Sequence, residues 1–329
     1  MIFNVTAETS KLRLSDLFLD VCVKFSVPKI ATAPFCPPEV AGSVAVDPNA
    51  PFFKRVLRFA GPGLLVSIGY MDPGNWATAI EAGSRFGYSL LFVVLLASLA
   101  GMVVQCLCSR LGIATGRDLA QLSRERYSTP TARLQWILAE ISIIATDLAE
   151  VLGCALAFHL LLGCSLTFGI ALTAFDTLLV LALQNRGFRR LEAIMLVLVA
   201  TIGVCFFVEL VLIKPYWPDV FQGFKPSLSA ISDAAPLYLA IGILGATVMP
   251  HNLYLHTSIV QTRMIGKDLA SKQDAVKLAR IDTIGSLALA LLVNAAILIL
   301  AAAAFHSTGH SEVVDIQDAY HLLDPLVGG

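Results

Sequence analysis

Asp72 and Asn75 flank a Pro-Gly pair in the middle of an apolar segment of this 329-residue chain. They offer a carboxylate and an amide oxygen at positions i and i+3. The proline removes a backbone hydrogen bond, so a carbonyl oxygen is released beside them. A carboxylate at the centre of a membrane helix costs about 2.5–3.5 kcal/mol on insertion scales, and it is normally found where it lines a cavity or binds a ligand. These residue types predict a cation site at a broken helix.

A second break, at Pro250, carries a softer ligand. Met249 directly precedes the proline and offers a thioether, and Ala246 lies where a second backbone carbonyl would be released. Oxygen ligands alone would suit Mg²⁺ or Ca²⁺, whereas a thioether in the same set favours softer first-row ions such as Mn²⁺ and Fe²⁺. Two broken helices, one in each half of a transporter, indicate a substrate site between them.

The elements that must position these residues are membrane helices. The chain is 57% hydrophobic and 14% charged, with a mean hydropathy of +0.76, whereas soluble domains are about 25% charged. The sequence therefore predicts an all-α integral membrane protein with about seven spans. Apolar runs long enough to cross a bilayer lie at about 59–83, 89–113, 134–162, 165–185, 191–213, 236–262 and 281–305.

The basic residues orient these spans. With a cytoplasmic N-terminus, 20 of the 23 Lys and Arg residues fall on the inside and 3 on the outside, as the positive-inside rule requires. Spans 1 and 6 then enter from opposite sides, as in inverted repeats. We expect a poorly ordered cytoplasmic tail at 1–54 and a transmembrane domain at 55–329. Within this domain the first repeat covers about 59–213, an incomplete second repeat starts at about 236–305, and 306–329 form an external tail.

Three carboxylates share one face of the third span. Asp147 and Glu150 are three residues apart, and Glu140 precedes Asp147 by one heptad, so all three lie on the same side of a helix. A row of acids in a membrane helix is a candidate proton relay. The alternative is a set of ion pairs that stabilises the bundle, for which Arg263 and Arg280 could supply the cations.

The two broken segments resemble the signature motifs of a known family. Asp-Pro-Gly-Asn at 72–75 and Met-Pro-His-Asn at 249–252 are similar to the two motifs of the Nramp family of proton-coupled divalent metal transporters. The resemblance covers about residues 55–329. It implies a LeuT-like inverted-repeat helix bundle in which helices 1 and 6 are discontinuous and the second repeat is incomplete.

By this resemblance, Asp72, Asn75 and Met249 are the side-chain ligands of the transported metal ion, and Ala246 is a backbone ligand. The function implied is import of Mn²⁺, with Fe²⁺ as the alternative ion, across the inner (plasma) membrane by proton-coupled alternating access. The partners implied are the metal ion, protons and the lipid bilayer. We expect no resident cofactor and no nucleotide or nucleic-acid partner.

The resemblance also implies a proton route from helix 1 to helix 3, where Asp147 and Glu150 match and Glu140 lies further along the helix. His251 belongs to the predicted pathway because an imidazole can titrate during a transport cycle. Arg263 belongs to it because a network of ion pairs between arginine and these acids can also conduct protons.

Two other functions stay open. A cation-coupled organic solute transporter could use the same fold, although a carboxylate at the first break disfavours an anionic substrate. An inactive truncated remnant is the other alternative, because the second repeat is incomplete. We do not expect an enzyme, since the sequence contains neither a G-x-S-x-G nucleophile elbow nor a G-x-x-x-x-G-K-[ST] phosphate-binding loop.

Overall fold

The chain is described here from a computed structural model that covers residues 42–184, 188–308 and 313. Two short strands, β1 (Val44–Ala45) and β2 (Arg263–Met264), pair in parallel. The α-helices of these residues are α1 (Phe52–Phe59), α2 (Pro62–Gly69), α3 (Pro73–Phe86), α4 (Leu91–Thr115), α5 (Leu119–Arg126), α6 (Thr129–Leu162), α7 (Leu166–Gln184), α8 (Phe188–Ile213), α9 (Trp217–Gly223), α10 (Ala234–Thr247), α11 (Pro250–Ile259) and α12 (Leu269–Ala304). Short 3₁₀ turns lie at Gly87–Leu90, Ser229–Ile231, Val260–Thr262 and His306–Thr308.

In the described residues each of the seven predicted spans is built from α-helix, interrupted in spans 1 and 6 by the breaks, which confirms the all-α prediction. Span 1 consists of α2 and α3, span 6 consists of α10 and α11, and spans 2, 3, 4, 5 and 7 correspond to α4, α6, α7, α8 and α12. Within the described part of the chain, five stretches are long and apolar enough to cross a membrane. They are Pro73–Thr115, Thr129–Leu162, Glu192–Ile213, Ala234–Thr262 and Leu269–Thr308.

Span 7 begins earlier than its hydropathy indicated. α12 starts at Leu269 rather than near residue 281, and the Asp268 side chain caps it by accepting the backbone N–H of Ser271 at 2.9 Å. The first turns of α12 are polar on one side. Their other side packs against the protein, as the buried Leu278 shows. An apolar window detects only the membrane-spanning part of such a helix.

The ends of the chain contain more structure than a simple tail. Residues 42–54, which we assigned to the cytoplasmic tail, contain β1 and the start of α1. Residues 1–41 lie outside the described residues. Of the predicted external tail at 306–329, the structure describes the turn His306–Thr308 and residue 313.

α12 lies at the centre of the packed helices. It contacts α2, α3, α4 and α8, and its apolar window is the most buried of the five spanning stretches. α6 and α8 expose most of their apolar surface. The buried centre therefore forms around the two broken spans and α12, and it is there that the candidate site lies.

Candidate cation-binding site

The break in span 1 is a three-residue interruption, 70–72, between α2 and α3. Asp72 has an extended backbone (φ −75°, ψ 165°), and its carboxylate Oδ1 accepts the backbone N–H of Asn75 at 3.0 Å. Asp72 is thus the N-cap of α3, and the proline that follows stands at the first helical position, where no N–H is needed. The released carbonyl of Tyr70 accepts a hydrogen bond from the side-chain amide of Asn294 on α12 at 2.8 Å.

The break in span 6 follows from one missing N–H group. In a continuous helix the carbonyl of Ala246 would accept the N–H of residue 250, but Pro250 has none. α10 accordingly ends at Thr247, and Met249 is extended (φ −88°, ψ 127°) before α11 begins. The carbonyl of Ala246 is therefore available to another group.

Three of the four predicted ligands meet at one point between the two breaks. The side-chain Nδ2 of Asn75 donates to Asp72 Oδ1 at 2.5 Å and to the carbonyl of Ala246 at 2.9 Å. The carboxylate of Asp72 and the amide of Asn75 are both buried. The fourth predicted ligand, Met249, is buried in the second break, three residues after Ala246. The structure thus places a carboxylate, an amide and a carbonyl released from its helix around a small buried centre.

Thr247 is a residue at this centre that the sequence analysis did not assign. Its Oγ1 lies 3.1 Å from Asn75 Oδ1 and 2.7 Å from the carbonyl of Ile243, and its single proton can be donated to only one of them at a time. The signal in the sequence that could have identified Thr247 is a hydroxyl residue directly before the predicted break. It is ambiguous, because threonine in any helix can bond the carbonyl four residues earlier.

Glu150 and His251 each lie near both Asp72 and Asp147. Glu150 is near enough to Asp147 and Asp72 to interact with both electrostatically, and His251 interacts with the same two aspartates. The Nδ1 atom of His251 is buried and makes no hydrogen bond within the described residues. Three residues of the predicted proton pathway therefore accompany the candidate ligand Asp72.

Glu140 and Arg263 lie elsewhere. Glu140 is exposed on α6, and its carboxylate accepts the indole N–H of Trp136 at 2.9 Å. Arg263 is buried beyond the end of α11, where its guanidinium pairs with the Glu192 carboxylate at 2.6 Å. Arg263 is thus paired with an acid of span 5, and Glu140 with a tryptophan of its own helix.

Arg263 instead fixes the N-terminal end of span 1. Its Nε donates to the carbonyl of Phe59 at 2.8 Å, and one terminal nitrogen donates to the carbonyl of Ala60 at 3.0 Å as well as to Glu192. These two carbonyls end α1, and Gly61 separates them from α2. A Cβ at Gly61, where φ is +148°, would overlap the Glu192 carboxylate and the Arg263 guanidinium.

Asp282 on α12 completes this arrangement from the other side. Its carboxylate accepts the backbone N–H of Gly63 at 2.7 Å and that of Gly61 at 3.2 Å. These are free N–H groups at the start of α2, where a negative charge also interacts favourably with the helix dipole. Arg263, Glu192 and Asp282 together are called the span-1 clamp below.

The sequence profile of the family described as Natural resistance-associated macrophage protein-like (Nramp) matches residues 63–329. The chain belongs to the Nramp family. This finding confirms the resemblance carried by the two broken motifs, and it identifies span 1 and span 6 as the paired discontinuous helices of a membrane transporter fold.

Named Nramp relatives are similar over most of this chain. A divalent metal cation transporter MntH 1 from Pseudomonas aeruginosa is 74% identical over 307 residues, which cover 93% of this chain and 70% of that relative. A divalent metal cation transporter MntH from Ralstonia nicotianae is 67% identical over 303 residues, covering 92% of this chain and 69% of the relative. Both are named as transporters, not enzymes, in agreement with our prediction.

A solved Nramp structure shows the same fold. The manganese transporter of Eremococcus coleocola superposes with a TM-score of 0.80 at 38% identity, covering 86% of this chain and 58% of that chain. Our chain thus spans about 70% of the length of the two named relatives and 58% of the solved one. The structural agreement confirms the predicted LeuT-like helix bundle for the part of the fold that this chain covers.

Proposed function

We propose that this protein imports a divalent metal ion, Mn²⁺ with Fe²⁺ as the alternative, across the inner (plasma) membrane. The observation that carries the proposal is the meeting of the Asp72 carboxylate and the released Ala246 carbonyl at Asn75, between two broken spans. The names of the relatives support a divalent cation as the substrate. The multi-pass orientation that we propose, with a cytoplasmic N-terminus, rests on the distribution of Lys and Arg.

The chemistry of the donors favours a transition metal. Asp72 supplies a negative charge, and Asn75 and Ala246 can supply neutral oxygens, a set that would also accept Mg²⁺ or Ca²⁺. The thioether of Met249, buried at the second break, tilts the selectivity toward Mn²⁺ and Fe²⁺. The metal ion is the transported substrate, and the proposal requires no resident cofactor.

Alternating access requires the half-helices to move about the breaks. On the cytoplasmic side of the site, Gln105 of α4 donates its side-chain amide to the Tyr70 hydroxyl at 3.2 Å, and its Oε1 lies 2.9 Å from His256 Nδ1. These buried side chains connect α4 to α11 and to Tyr70, which directly follows α2. Opening the inner path separates these side chains, while α12 remains in the packed centre.

Proton coupling follows from the groups beside the metal ligand. Asp72 must be deprotonated to bind a cation, so metal affinity falls in acid and binding releases a proton. Glu150, Asp147 and His251 are the described groups positioned to exchange that proton with Asp72. Glu140 and Arg263 remain in the proposed pathway as more distant members. Proton exchange with them would require movements of the helices during the transport cycle.

Calorimetric titration of Mn²⁺ into the purified chain tests the site. Asp72→Asn keeps the shape of the side chain but removes its charge, and a charge-assisted contact of about 1.5–3 kcal/mol corresponds to roughly 10- to 150-fold weaker binding. Asp219→Asn on α9 removes an exposed carboxylate beside Tyr88, beyond the far end of α3, and is expected to leave the affinity unchanged. Affinity of the wild-type chain should also decrease between pH 7.5 and pH 5.5.

The outcomes separate the competing functions. Mn²⁺ binding that survives Asp72→Asn would refute the site. Uptake of Mn²⁺ into proteoliposomes with an inward proton gradient would establish transport, whereas binding without uptake would favour an inactive remnant. Accumulation of an organic solute without Mn²⁺ binding would favour the alternative transporter on the same fold.

A further inference from the structure

Residues 42–46 lie against the segment that ends span 6. The backbone N–H of Gly42 donates to the carbonyl of Gln261 at 2.9 Å. Two residues further on, β1 pairs with β2 in parallel, with Val44 opposite Arg263. The part of the chain that precedes the first span is therefore joined by main-chain hydrogen bonds to the end of the sixth.

Arg263 connects this pairing to span 1. Its backbone belongs to β2, while its guanidinium holds the carbonyls of Phe59 and Ala60 at the end of α1. One residue therefore carries both the strand contact and the span-1 clamp. If β1 leaves β2, the backbone that positions the guanidinium loses a constraint, and the hold on span 1 is weakened.

Val46 gives the segment an apolar contact in the same place. It packs against a cluster that draws Phe59 from α1, Ile113 from α4 and Leu278 from α12. A cavity of about 580 Å³ remains beside these side chains, lined also by Pro48. The segment is thus attached by two paired strand residues and by the apolar contact of Val46. Few close contacts are lost when it detaches, so the attachment is weak enough to be reversible.

The chain between this segment and the metal site is short and continuous. α1 follows β1, and only Ala60 and Gly61 separate α1 from α2. Arg55 on α1 is also paired with Asp274 on α12 at 2.6 Å. A movement of α2 away from α12 therefore has to displace α1 and pull on residues 42–46.

We propose that residues 42–46 are a latch, which holds the cytoplasmic half of span 1 closed and detaches when the inner path opens. Only the role of the latch in the transport cycle depends on the proposed function. Its effect on the position of α2 is a structural property that can be measured without transport.

The first experiment measures exposure of α2 directly. Ser67 is fully buried on α2, and in a full-length chain whose native cysteines are replaced, Ser67→Cys reports opening by its labelling rate with a charged thiol reagent from the cytoplasmic side. Val46→Asp replaces the apolar contact with the cluster around Phe59 and Leu278 by a carboxylate and should raise this rate about tenfold, because the charge is better solvated in the detached state and shifts the population toward it. Ser43→Asp adds the same charge on an exposed position of the same segment and should leave the rate unchanged.

The second experiment locks the latch. Ala45 and Met264 are strand partners, and both are exposed, so Ala45→Cys/Met264→Cys should form a disulfide on oxidation. We expect the oxidised protein to bind Mn²⁺ as the wild type does but to lose uptake, and reduction should restore it. Each single cysteine variant under the same oxidant is the control.

Each result decides for or against the latch. Equal labelling rates for Val46→Asp and Ser43→Asp, with both proteins folded by size-exclusion profile and thermal unfolding, would overturn the proposal. So would a cysteine pair that fails to cross-link or that transports when oxidised. If no variant transports, the proposed function fails for this chain, while the labelling experiment still decides the latch.

Discussion

Removing Arg263 should destabilise the protein far more than an ion pair on the surface does. The Glu192 side chain is only 4% exposed and the Arg263 side chain 0% exposed, with 2.6 Å between nitrogen and oxygen. Arg263→Met takes the cation away from a buried carboxylate and removes the donors to two helix-end carbonyls. Breaking a buried pair by removing one partner costs about 3–5 kcal/mol, and we expect a decrease in the free energy of unfolding of this size.

The double variant Arg263→Met/Glu192→Leu separates the charge effect from lost packing. With both charges replaced by apolar groups of similar volume, no unpaired Glu192 carboxylate is left, and such replacements are often nearly neutral. The buried Asp282 carboxylate remains, but it keeps the backbone N–H groups of Gly61 and Gly63 as donors. The carbonyls of Phe59 and Ala60 still lose the arginine donors, at about 1 kcal/mol each. We therefore expect the double variant to lose only about 2 kcal/mol and to be more stable than Arg263→Met alone.

The assay is unfolding by SDS titration in mixed micelles, followed by tryptophan fluorescence. The matched control is the pair between Arg85 and Glu81, which has the same 2.6 Å separation but side chains that are 42% and 19% exposed. Arg85→Met should cost less than about 1 kcal/mol because an exposed pair is screened by solvent. A double variant at 263 and 192 that is as unstable as the sum of its single variants would refute the reasoning, since the two charges would then not be coupled.

Two further substitutions test the packing around the first break. Asn294→Ala removes the donor to the released carbonyl of Tyr70 and should lower the free energy of unfolding by about 1–3 kcal/mol in the same titration; an unchanged midpoint would mean that another group takes over. Gly153→Val places a side chain on α6 where a Cβ already overlaps the Pro73 ring, and should cost about 1–3 kcal/mol and weaken Mn²⁺ binding. Gly203→Ala, where a Cβ meets no atom within 4 Å, should instead stabilise its helix by about 0.5–1 kcal/mol.

The spans and breaks could be predicted because their signals are local. A run of apolar residues of bilayer length is visible in the sequence, and a proline with an acid inside such a run marks the place where the helix is interrupted. The first turns of α12 escaped this reasoning because they are amphipathic rather than uniformly apolar. The segment at 42–54 escaped it because a two-residue strand depends on a partner more than 200 residues away.

The span-1 clamp shows why the ion-pair partner of a charged residue is harder to predict from sequence than a helix. From the sequence we paired Arg263 with the acids of span 3 because their charges are opposite. Its partner in the structure, Glu192, lies 71 residues earlier in the chain and at the start of span 5. Which of several acids an arginine meets depends on how the helices cross, and hydropathy contains no information on crossing. The candidate ligands Asp72 and Asn75, in contrast, are three residues apart in the sequence, so their proximity could be predicted.

The amide of Asn75 gives the candidate site a property that its oxygen atoms alone do not convey. Its N–H groups are directed at the Asp72 carboxylate and the Ala246 carbonyl, so the site contains its own positive pole and both of these oxygens accept a hydrogen bond. An incoming ion has to replace those two hydrogen bonds before it gains anything, which sets a threshold of roughly 2–4 kcal/mol. Singly charged ions recover too little Coulomb energy to pass it readily. Under the proposed transport function, the same amide would satisfy these two oxygens in every conformation in which no ion is bound.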